Sequence, residues 1–388
     1  MISRREFLTT ACRLAPVVGA GMIFSDQLWN MLSEGHSGLA IAGSYADDLL
    51  EKAPRARWWQ SLRKDNAVRC FLCPHACVIG DGARGTCNTR VNVKGELKSL
   101  VYGRPVSIHV DPIEKKPFYH FLPGAEAFSM ATAGCPLKCK CCQNWEISQA
   151  RPEDFKVSYA EPARIAGSAR DSKARVVAFT YNEPTIFAEY MMDIARDAKK
   201  QGLKSVAISC GFINEAPLGE LCKTLDAIKI DLKGYSEDFY RNVCGAELRP
   251  VLAAIKQIAR SRRHLEIVNL VVPTLNDSDK MLLELIKWVL GEVGPDVPLH
   301  FSRFHPAYQM LNLSPTPVAT LERARDMAMS RGIHYAYVGN VPGHPGDNTY
   351  CPNCKKVLIE RRGFFVVDTN MKGGHCGFCN RKIAGVWT

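Results

Sequence analysis

Residues 134–144 read Gly-Cys-Pro-Leu-Lys-Cys-Lys-Cys-Cys-Gln-Asn and decide the fold. They place Cys135, Cys139 and Cys142 in a C-x3-C-x2-C spacing directly after an apolar run at 128–133 that predicts a strand. In α/β folds the ligand-binding loops follow the carboxyl ends of parallel strands. The position and the spacing together predict a metal site at the end of the first such strand.

The triplet has the ligand set of an open iron–sulfur site. Three closely spaced thiolates can hold three irons of a 4Fe-4S cubane, and the fourth iron then has no protein ligand. That arrangement is typical of a catalytic site, whereas a structural site is closed by a full set of protein ligands. The alternative interpretation of the triplet is a zinc knuckle.

Apolar runs and helical patterns alternate along the rest of the chain. The predicted strands cover 128–133, 175–181, 204–209, 226–231, 266–272 and 299–303. Their continuous apolar character is typical of parallel strands that are buried on both faces. Predicted helices include 184–200, 250–262 and 280–290, and a helix at 320–330 and a strand at 334–338 follow. Repeated βα units predict an α/β fold with a partial (β/α)6 TIM-like barrel.

Two further cysteine sets flank this core. Most of the 16 cysteines fall in clusters with ligand-like spacing, which favours metals over disulfides. Cys70, Cys73, Cys77 and Cys87 form a set that suits zinc or an auxiliary iron–sulfur cluster. The lack of a redox motif favours zinc, and His75 is an alternative ligand to one of the cysteines.

The C-terminal set reads as a zinc ribbon. Cys351, Cys354, Cys376 and Cys379 form two C-x2-C knuckles around a hairpin-like stretch at 364–367. The alternative is a set of reduced, unligated thiols.

The composition is ordinary for a folded soluble protein, with 46% hydrophobic and 23% charged residues. The net charge is +11, but no basic run with interleaved aromatics occurs, so we expect no nucleic-acid partner.

From Cys70 onward, the sequence resembles the radical S-adenosylmethionine (SAM) enzyme of the AmmeMemoRadiSam-system family, which is similar to pyruvate formate-lyase activating enzymes. The stretches that carry the resemblance are 110–117, 142–145, 180–184, 230–234, 304–306 and 339–340. The resemblance implies that Cys135, Cys139 and Cys142 are catalytic and hold a 4Fe-4S cluster. It also implies reductive cleavage of SAM to a 5′-deoxyadenosyl radical that abstracts hydrogen.

The resemblance also implies SAM contacts at successive strand ends. Glu183 would bind the SAM ammonium group and Asn182 would help to fix it, although Glu183 could instead serve only the helix N-terminus. Ser209 and Gly211 flank Cys210 in a turn that is similar to the family's Thr-Asn-Gly turn near the SAM ribose or carboxylate.

Two later strand ends complete this set. Lys233 would meet the SAM carboxylate and Asp231 would organise its charge, and a purely structural buried ion pair is the alternative. His305 would lie near the adenosyl group, and a structural hydrogen-bonded histidine is the alternative. The resemblance further implies an electron donor such as flavodoxin or ferredoxin.

The N-terminus matches a twin-arginine signal. Residues 3–8 read Ser-Arg-Arg-Glu-Phe-Leu and precede an apolar stretch at 14–24 with the length of a signal h-region. This predicts export to a periplasmic or membrane-tethered location. The alternative is an N-terminal helix that stays in the cytoplasm, where SAM is found.

The chain is predicted to divide into four parts, which are a signal segment at 1–42, a Cys-rich module at 43–125, a radical SAM core at 126–340 and a zinc-ribbon-like tail at 341–388.

The sequence leaves three candidate functions for this protein. An activating-enzyme-like reaction on a protein substrate is favoured by the resemblance. Radical modification of a small molecule is the second, and a non-catalytic, metal-stabilised binding protein is the third. Polar residues at successive strand ends, such as Glu183, Asp231 and Lys233, argue against the third, because a binding module does not need them.

Overall fold

A computed structural model describes residues 45–62 and 65–388. The predicted twin-arginine signal at 1–42 lies outside the described residues, so export stays a prediction. Within the described ranges, no helix combines the length and the apolar composition that crossing a bilayer requires.

An eight-stranded sheet forms the centre of the molecule. Its strands are β1 (Ser107–Pro112), β2 (Glu126–Ala131), β3 (Val176–Phe179), β4 (Lys204–Ser209), β5 (Ala227–Asp231), β6 (His264–Val271), β7 (Leu299–Arg303) and β8 (Ala336–Gly339). They lie in the spatial order β8-β7-β6-β5-β4-β3-β2-β1. All neighbours pair in parallel except β1, which runs antiparallel to β2 at one edge.

One main helix lies between each pair of successive parallel strands. These helices are α1 (Pro162–Asp171), α2 (Ala188–Lys200), α3 (Glu215–Thr224), α4 (Leu248–Arg260), α5 (Asp279–Glu292) and α6 (Val318–Ser330). Pro162 occupies the first turn of α1, and the Ser278 hydroxyl accepts a hydrogen bond from Met281 N at the start of α5. The strands β2 to β7, each followed by a helix, confirm the predicted partial (β/α)6 barrel. Strand β1 at the edge was not predicted.

The N-terminal module packs small antiparallel sheets beside the core. Its elements are a helix at Tyr45–Glu51, strands at Trp59–Ser61, Val68–Cys70 and Val78–Ile79, and a hairpin of Arg90–Val93 with Glu96–Ser99. Arg90 is buried and makes a double hydrogen bond to the carboxylate of Glu189 on α2, at 2.7 Å to each oxygen. This charge-assisted pair ties the module to the barrel.

The tail also consists of short strands. They are Thr349–Tyr350, Val357–Arg362, Phe365–Thr369, Met371–Lys372 and His375–Cys376. The second and third form an antiparallel hairpin around the left-handed Gly363, close to the predicted stretch at 364–367. Short helical turns elsewhere cover Ile113–Lys115, Trp145–Ser148, Pro152–Asp154, Pro184–Phe187, Glu237–Phe239, Tyr240–Cys244 and Pro345–Asp347.

Arg361 joins the tail to the barrel. Its guanidinium donates to the backbone oxygen of Tyr119 at 2.9 Å and lies 3.6 Å from the carboxylate of Glu114, with both charged side chains fully buried. The Tyr119 hydroxyl in turn donates to Asp347 at 3.0 Å. The contact between tail and barrel is therefore a buried polar network.

Replacing Arg361 with alanine is expected to lower the free energy of unfolding by about 3–5 kcal/mol, because it leaves Glu114 buried without its cation. The neighbouring Arg362→Ala variant is the matched control. Arg362 is 77% exposed and pairs only at 3.4 Å with Glu360, so its loss should change stability by about 0.5 kcal/mol or less. Urea unfolding followed by tryptophan fluorescence compares the two, and equal effects would contradict the assignment.

Candidate active site

The cysteine triplet lines a large cavity at the carboxyl ends of the parallel strands. The cavity has a volume of about 550 Å³, and Cys135, Cys139 and Cys142 all contribute to its wall. Cys141 and Cys210 line it too, and both are buried. The site thus lies at the edge of the sheet that the sequence predicted.

Hydrogen bonds to backbone carbonyl oxygens hold the triplet loop, residues 134–142, from two sides. The amides of Lys138 and Lys140 donate to the carbonyl oxygens of Cys244 and Val243, each at 2.9 Å, in the π-helical turn Tyr240–Cys244. On the other side, the side-chain amide of Asn182 donates through Nδ2 to the carbonyl oxygens of Thr132 at 2.5 Å and Gly134 at 2.8 Å. These contacts position the loop that carries the three thiols.

Glu183 follows β3 and is 2% exposed. Its carboxylate accepts hydrogen bonds from Thr185 N and Thr185 Oγ1, at 3.1 and 2.6 Å, and from Ser209 Oγ at 2.7 Å. The amide of Cys210 donates to the second oxygen at 2.6 Å. All four donors are neutral, so these hydrogen bonds do not balance the negative charge of the Glu183 carboxylate.

Asn182 adds a second acceptor. Its Oδ1 is buried and has no hydrogen-bond partner among the described residues, and its side chain lines the cavity. A buried acceptor without a donor costs about 1–3 kcal/mol. Because that oxygen is itself buried, a donor bound in the cavity would reach it only if the Asn182 side chain shifted.

A charge cluster follows β5. Asp231 forms ion pairs with Lys229 and with Lys233, whose Nζ lies 3.5 Å from Oδ2. Burial acts to raise the pKa of Asp231, but the two ammonium groups outweigh it and hold that pKa below its ordinary value. The trio carries one excess positive charge, which suits an anionic group in the cavity.

The cavity wall holds a second charge cluster that the sequence interpretation missed, since Lys115, Lys116 and Tyr181 also line it. Asp111 on β1 accepts hydrogen bonds from Lys115 at 2.7 Å and from Lys116 and Tyr181, both at 2.6 Å. Burial lowers the pKa of Lys116 to about 8, against the opposing effect of Asp111. The stretch 110–117 carries part of the family resemblance, but no spacing rule connects Asp111 to Tyr181.

The structure brings together most, but not all, of the predicted SAM contacts. Those that line the cavity are Asn182, Glu183, Asp231 and Lys233. Ser209 and Gly211 lie behind Glu183, where the Ser209 hydroxyl bonds the carboxylate and accepts from Gly211 N at 3.0 Å. His305 is half-buried and is not among the residues that line this cavity. Lys229, inside β5, also lines the cavity, and no motif in the sequence predicts that role.

The two flanking cysteine sets each converge. In the tail, the ligand atoms of Cys351, Cys354, Cys376 and Cys379 all lie within 4.8 Å of one another. In the N-terminal module, Cys70, Cys73, Cys77 and Cys87 line one small cavity of about 20 Å³. Both sets are therefore assembled by the fold.

Three thiols lie together at the carboxyl edge of a parallel sheet. Beside them are the Glu183 carboxylate and a lysine–aspartate cluster with one excess positive charge. This arrangement defines an iron–sulfur enzyme with room for a zwitterionic cofactor. Comparison with known proteins gives the family. The model of the Radical SAM superfamily matches residues 130–288. An uncharacterized protein of Methanocaldococcus jannaschii is 43% identical over 321 residues, which cover 82% of this chain and 96% of that protein. The chain belongs to the radical SAM superfamily and is a radical SAM enzyme.

More distant relatives carry a described activity. The pyruvate formate-lyase-activating enzyme of Clostridium pasteurianum is 24% identical over 155 residues, which cover 39% of this chain and 64% of that enzyme. Less than two thirds of that enzyme's length is thus matched. Among solved structures, a radical SAM methyltransferase from Sphaerobacter thermophilus superposes with a TM-score of 0.43 at 15% identity, covering 56% of this chain and 67% of that one. The finer resemblance to the AmmeMemoRadiSam-system family stays a prediction.

Proposed function

We propose that this enzyme uses SAM radical chemistry to abstract hydrogen from a protein substrate, as an activating enzyme does. The observation that carries the proposal is at the cavity wall. Phe364, at the tip of the tail hairpin, lines the cavity and is 40% exposed. Phe365 and Val367 follow it and are 59% and 47% exposed. Exposed apolar side chains beside a catalytic cavity favour a polypeptide as the partner.

The residues present fit the cofactors of the superfamily. Cys135, Cys139 and Cys142 would hold the 4Fe-4S cluster, which when bound supplies the electron that splits SAM into methionine and a 5′-deoxyadenosyl radical. Glu183 would accept from the SAM ammonium group, and Asn182, which lines the cavity beside it, would help to fix that group.

The protein's own groups orient SAM by charge. The ammonium of Lys233 attracts the SAM carboxylate, and Asp231 keeps that lysine in place. The hydroxyl of Ser209 holds Glu183 so that its carboxylate faces the cavity. A SAM held by both charged groups of its methionyl end has that end, and the sulfonium attached to it, oriented by the fold, which is the contribution expected of a protein that binds a reactive cofactor.

Turnover by the holoenzyme tests the proposal. Anaerobically reconstituted full-length protein with dithionite and SAM should release 5′-deoxyadenosine and methionine in equal amounts. Uniformly deuterated cell protein offered as substrate should transfer deuterium into 5′-deoxyadenosine. A fully iron-loaded protein that leaves SAM intact would overturn the enzyme assignment, and deuterium transfer from the small-molecule fraction alone would favour a small-molecule substrate.

The tail site is proposed to hold zinc. The Sγ atoms of Cys351 and Cys379 lie 3.6 Å apart, and those of Cys354 and Cys376 lie 3.7 Å apart. Four sulfurs about 2.3 Å from one tetrahedral zinc are roughly 3.8 Å from each other, which supports a single ion.

The electron donor and the location are also proposals. A low-potential donor such as flavodoxin or ferredoxin is required because SAM cleavage consumes one electron. Export by the twin-arginine route rests on the pattern at residues 3–8. Fractionation of cells that carry the full chain tests it, and recovery in the cytoplasm alone would contradict export.

A further inference from the structure

The four N-terminal cysteines form one enclosed site. Cys70, Cys73, Cys77 and Cys87 line the same cavity, and the Cys70 amide donates to the Cys77 carbonyl at 3.0 Å. A Cβ atom added at Gly85 would lie 3.7 Å from Cys77 Sγ and 3.8 Å from Cys87 Sγ. Gly85 therefore lies in van der Waals range of two of the sulfurs and forms part of the wall of the site.

The separation of the sulfurs distinguishes this site from the tail site. In the tail all four ligand atoms lie within 4.8 Å of one another, and in the rest of the described chain no other group of three or more ligand atoms is so close. Among the described residues, therefore, neither the N-terminal set nor the catalytic triplet brings three sulfurs within 4.8 Å of one another. One zinc ion draws its sulfurs to roughly 3.8 Å, whereas a cubane holds its thiolates on irons at separate corners.

The wall of the site also suits a buried anionic cluster. Arg90 lines the cavity and is 1% exposed, and its Nε has no hydrogen-bond partner among the described residues. The hydroxyls of Thr86 and Thr89 lie 3.4 Å from Cys77 Sγ and 3.2 Å from Cys87 Sγ. Hydrogen bonds to sulfur stabilise the charge that four thiolates bring to a 4Fe-4S core.

The N-terminal site touches the catalytic triplet loop. His75 Nε2 lies 2.8 Å from the carbonyl oxygen of Pro136, the residue after Cys135. Gly134 has a φ of +94°, and a Cβ atom there would lie only 2.5 Å from the carbonyl oxygen of Cys87. Two cysteine loops that contact each other through backbone provide a short path between their metals.

We infer that Cys70, Cys73, Cys77 and Cys87 bind a second 4Fe-4S cluster, which relays electrons to the triplet site. A one-electron donor of the flavodoxin or ferredoxin class is oxidised, and the second cluster goes from its 2+ to its 1+ state. The cluster returns to 2+ as the electron moves on to the triplet site, with no bond made and no proton transferred. The relay rests on the proposed function, whereas the cluster itself does not.

Metal analysis of the full chain tests the cluster. Anaerobically reconstituted protein should hold about eight irons and about one zinc. A variant with Cys135, Cys139 and Cys142 changed to alanine should keep about four irons and give the electron paramagnetic resonance signal of a reduced cubane. The Cys70→Ala/Cys87→Ala variant should keep about four irons at the triplet, and Cys222→Ala should keep all eight. About four irons and two zincs in the unmodified protein would overturn the inference.

Comparing two reductants tests the relay. With reduced flavodoxin, the Cys70→Ala/Cys87→Ala variant should cleave SAM at least about tenfold more slowly than the unmodified protein, because a longer path separates donor and triplet. With dithionite, which is small enough to reach the triplet directly, the two proteins should differ much less. Equal loss with both reductants, or no loss with either, would overturn the relay. Failure of the unmodified, eight-iron protein to cleave SAM would instead refute the proposed function and leave the iron count standing.

Discussion

Changing Cys135, Cys139 or Cys142 to alanine is expected to abolish SAM cleavage. Each thiol lines the catalytic cavity, and each supplies the only protein ligand that its iron would have. Loss of a group that merely supports a metal ligand costs about 10- to 100-fold, so loss of a ligand should cost more than about 100-fold. Formation of 5′-deoxyadenosine by reconstituted protein with dithionite measures the effect.

Two other cysteines serve as matched controls. Cys222 is buried on α3 and is not among the residues that line the cavity, so Cys222→Ala should leave the iron content and the rate unchanged. Cys141 lies between two ligands and lines the cavity, but the C-x-C spacing to Cys139 is strained around a cubane. We expect Cys141→Ala to keep its cluster. Loss of the cluster in Cys141→Ala, with retention in Cys142→Ala, would exchange the two assignments.

The parallel strands could be predicted because burial on both faces leaves an uninterrupted apolar signal. Every residue of β3 is buried, and its four residues are Val, Val, Ala and Phe. Strand β1 lacks this signal because it lies at the edge, where His109 is exposed and Asp111 binds lysines. Its pairing with β2 depends on the tertiary structure and not on a local pattern.

The candidate site was predictable where side chains follow strands. Glu183 and Asp231 follow β3 and end β5, and parallel strands bring those ends to one edge of the sheet. The support from Val243 and Cys244 was not predictable, because it comes from backbone carbonyls that any residue carries. His305 lies in a long connection after β7. The course of such a loop depends on tertiary packing that no local sequence pattern reveals.

The choice of metal at the flanking sets was also beyond the sequence. Both sets offer four thiolates, and ligand type alone permits zinc or iron in each. The different metals proposed above rest on sulfur separation, since Cys351 and Cys379 are 3.6 Å apart in the tail, whereas no three sulfurs of the N-terminal set lie within 4.8 Å of one another. The separation depends on how the chain folds between the ligands, which the number of residues between the cysteines does not determine.

Glu183→Gln is expected to weaken SAM binding by roughly 10- to 150-fold. A hydrogen bond to a charged group is worth about 1.5–3 kcal/mol, and each 1.4 kcal/mol is a factor of ten. Glutamine keeps the size of the side chain but removes the negative charge that would face the SAM ammonium. The Cys210 N–H now donates to the carboxylate at 2.6 Å. In the variant, this donor would face the NH₂ group of the glutamine, which is also a donor. Equilibrium binding of SAM to the reconstituted protein measures the change.

Stability measurements separate this role from a purely structural one. The Glu183 carboxylate accepts from Thr185 N at the start of the turn Pro184–Phe187, so it also caps that turn. If capping is its whole role, Glu183→Gln will lower the unfolding midpoint and leave the SAM affinity of the folded protein intact. Glu153→Gln, at a partly exposed ion pair with Arg84, is the control for the chemical change itself. A SAM affinity that falls in Glu183→Gln but not in Glu153→Gln assigns Glu183 to the cofactor, because the capping contact alone does not reach the cavity.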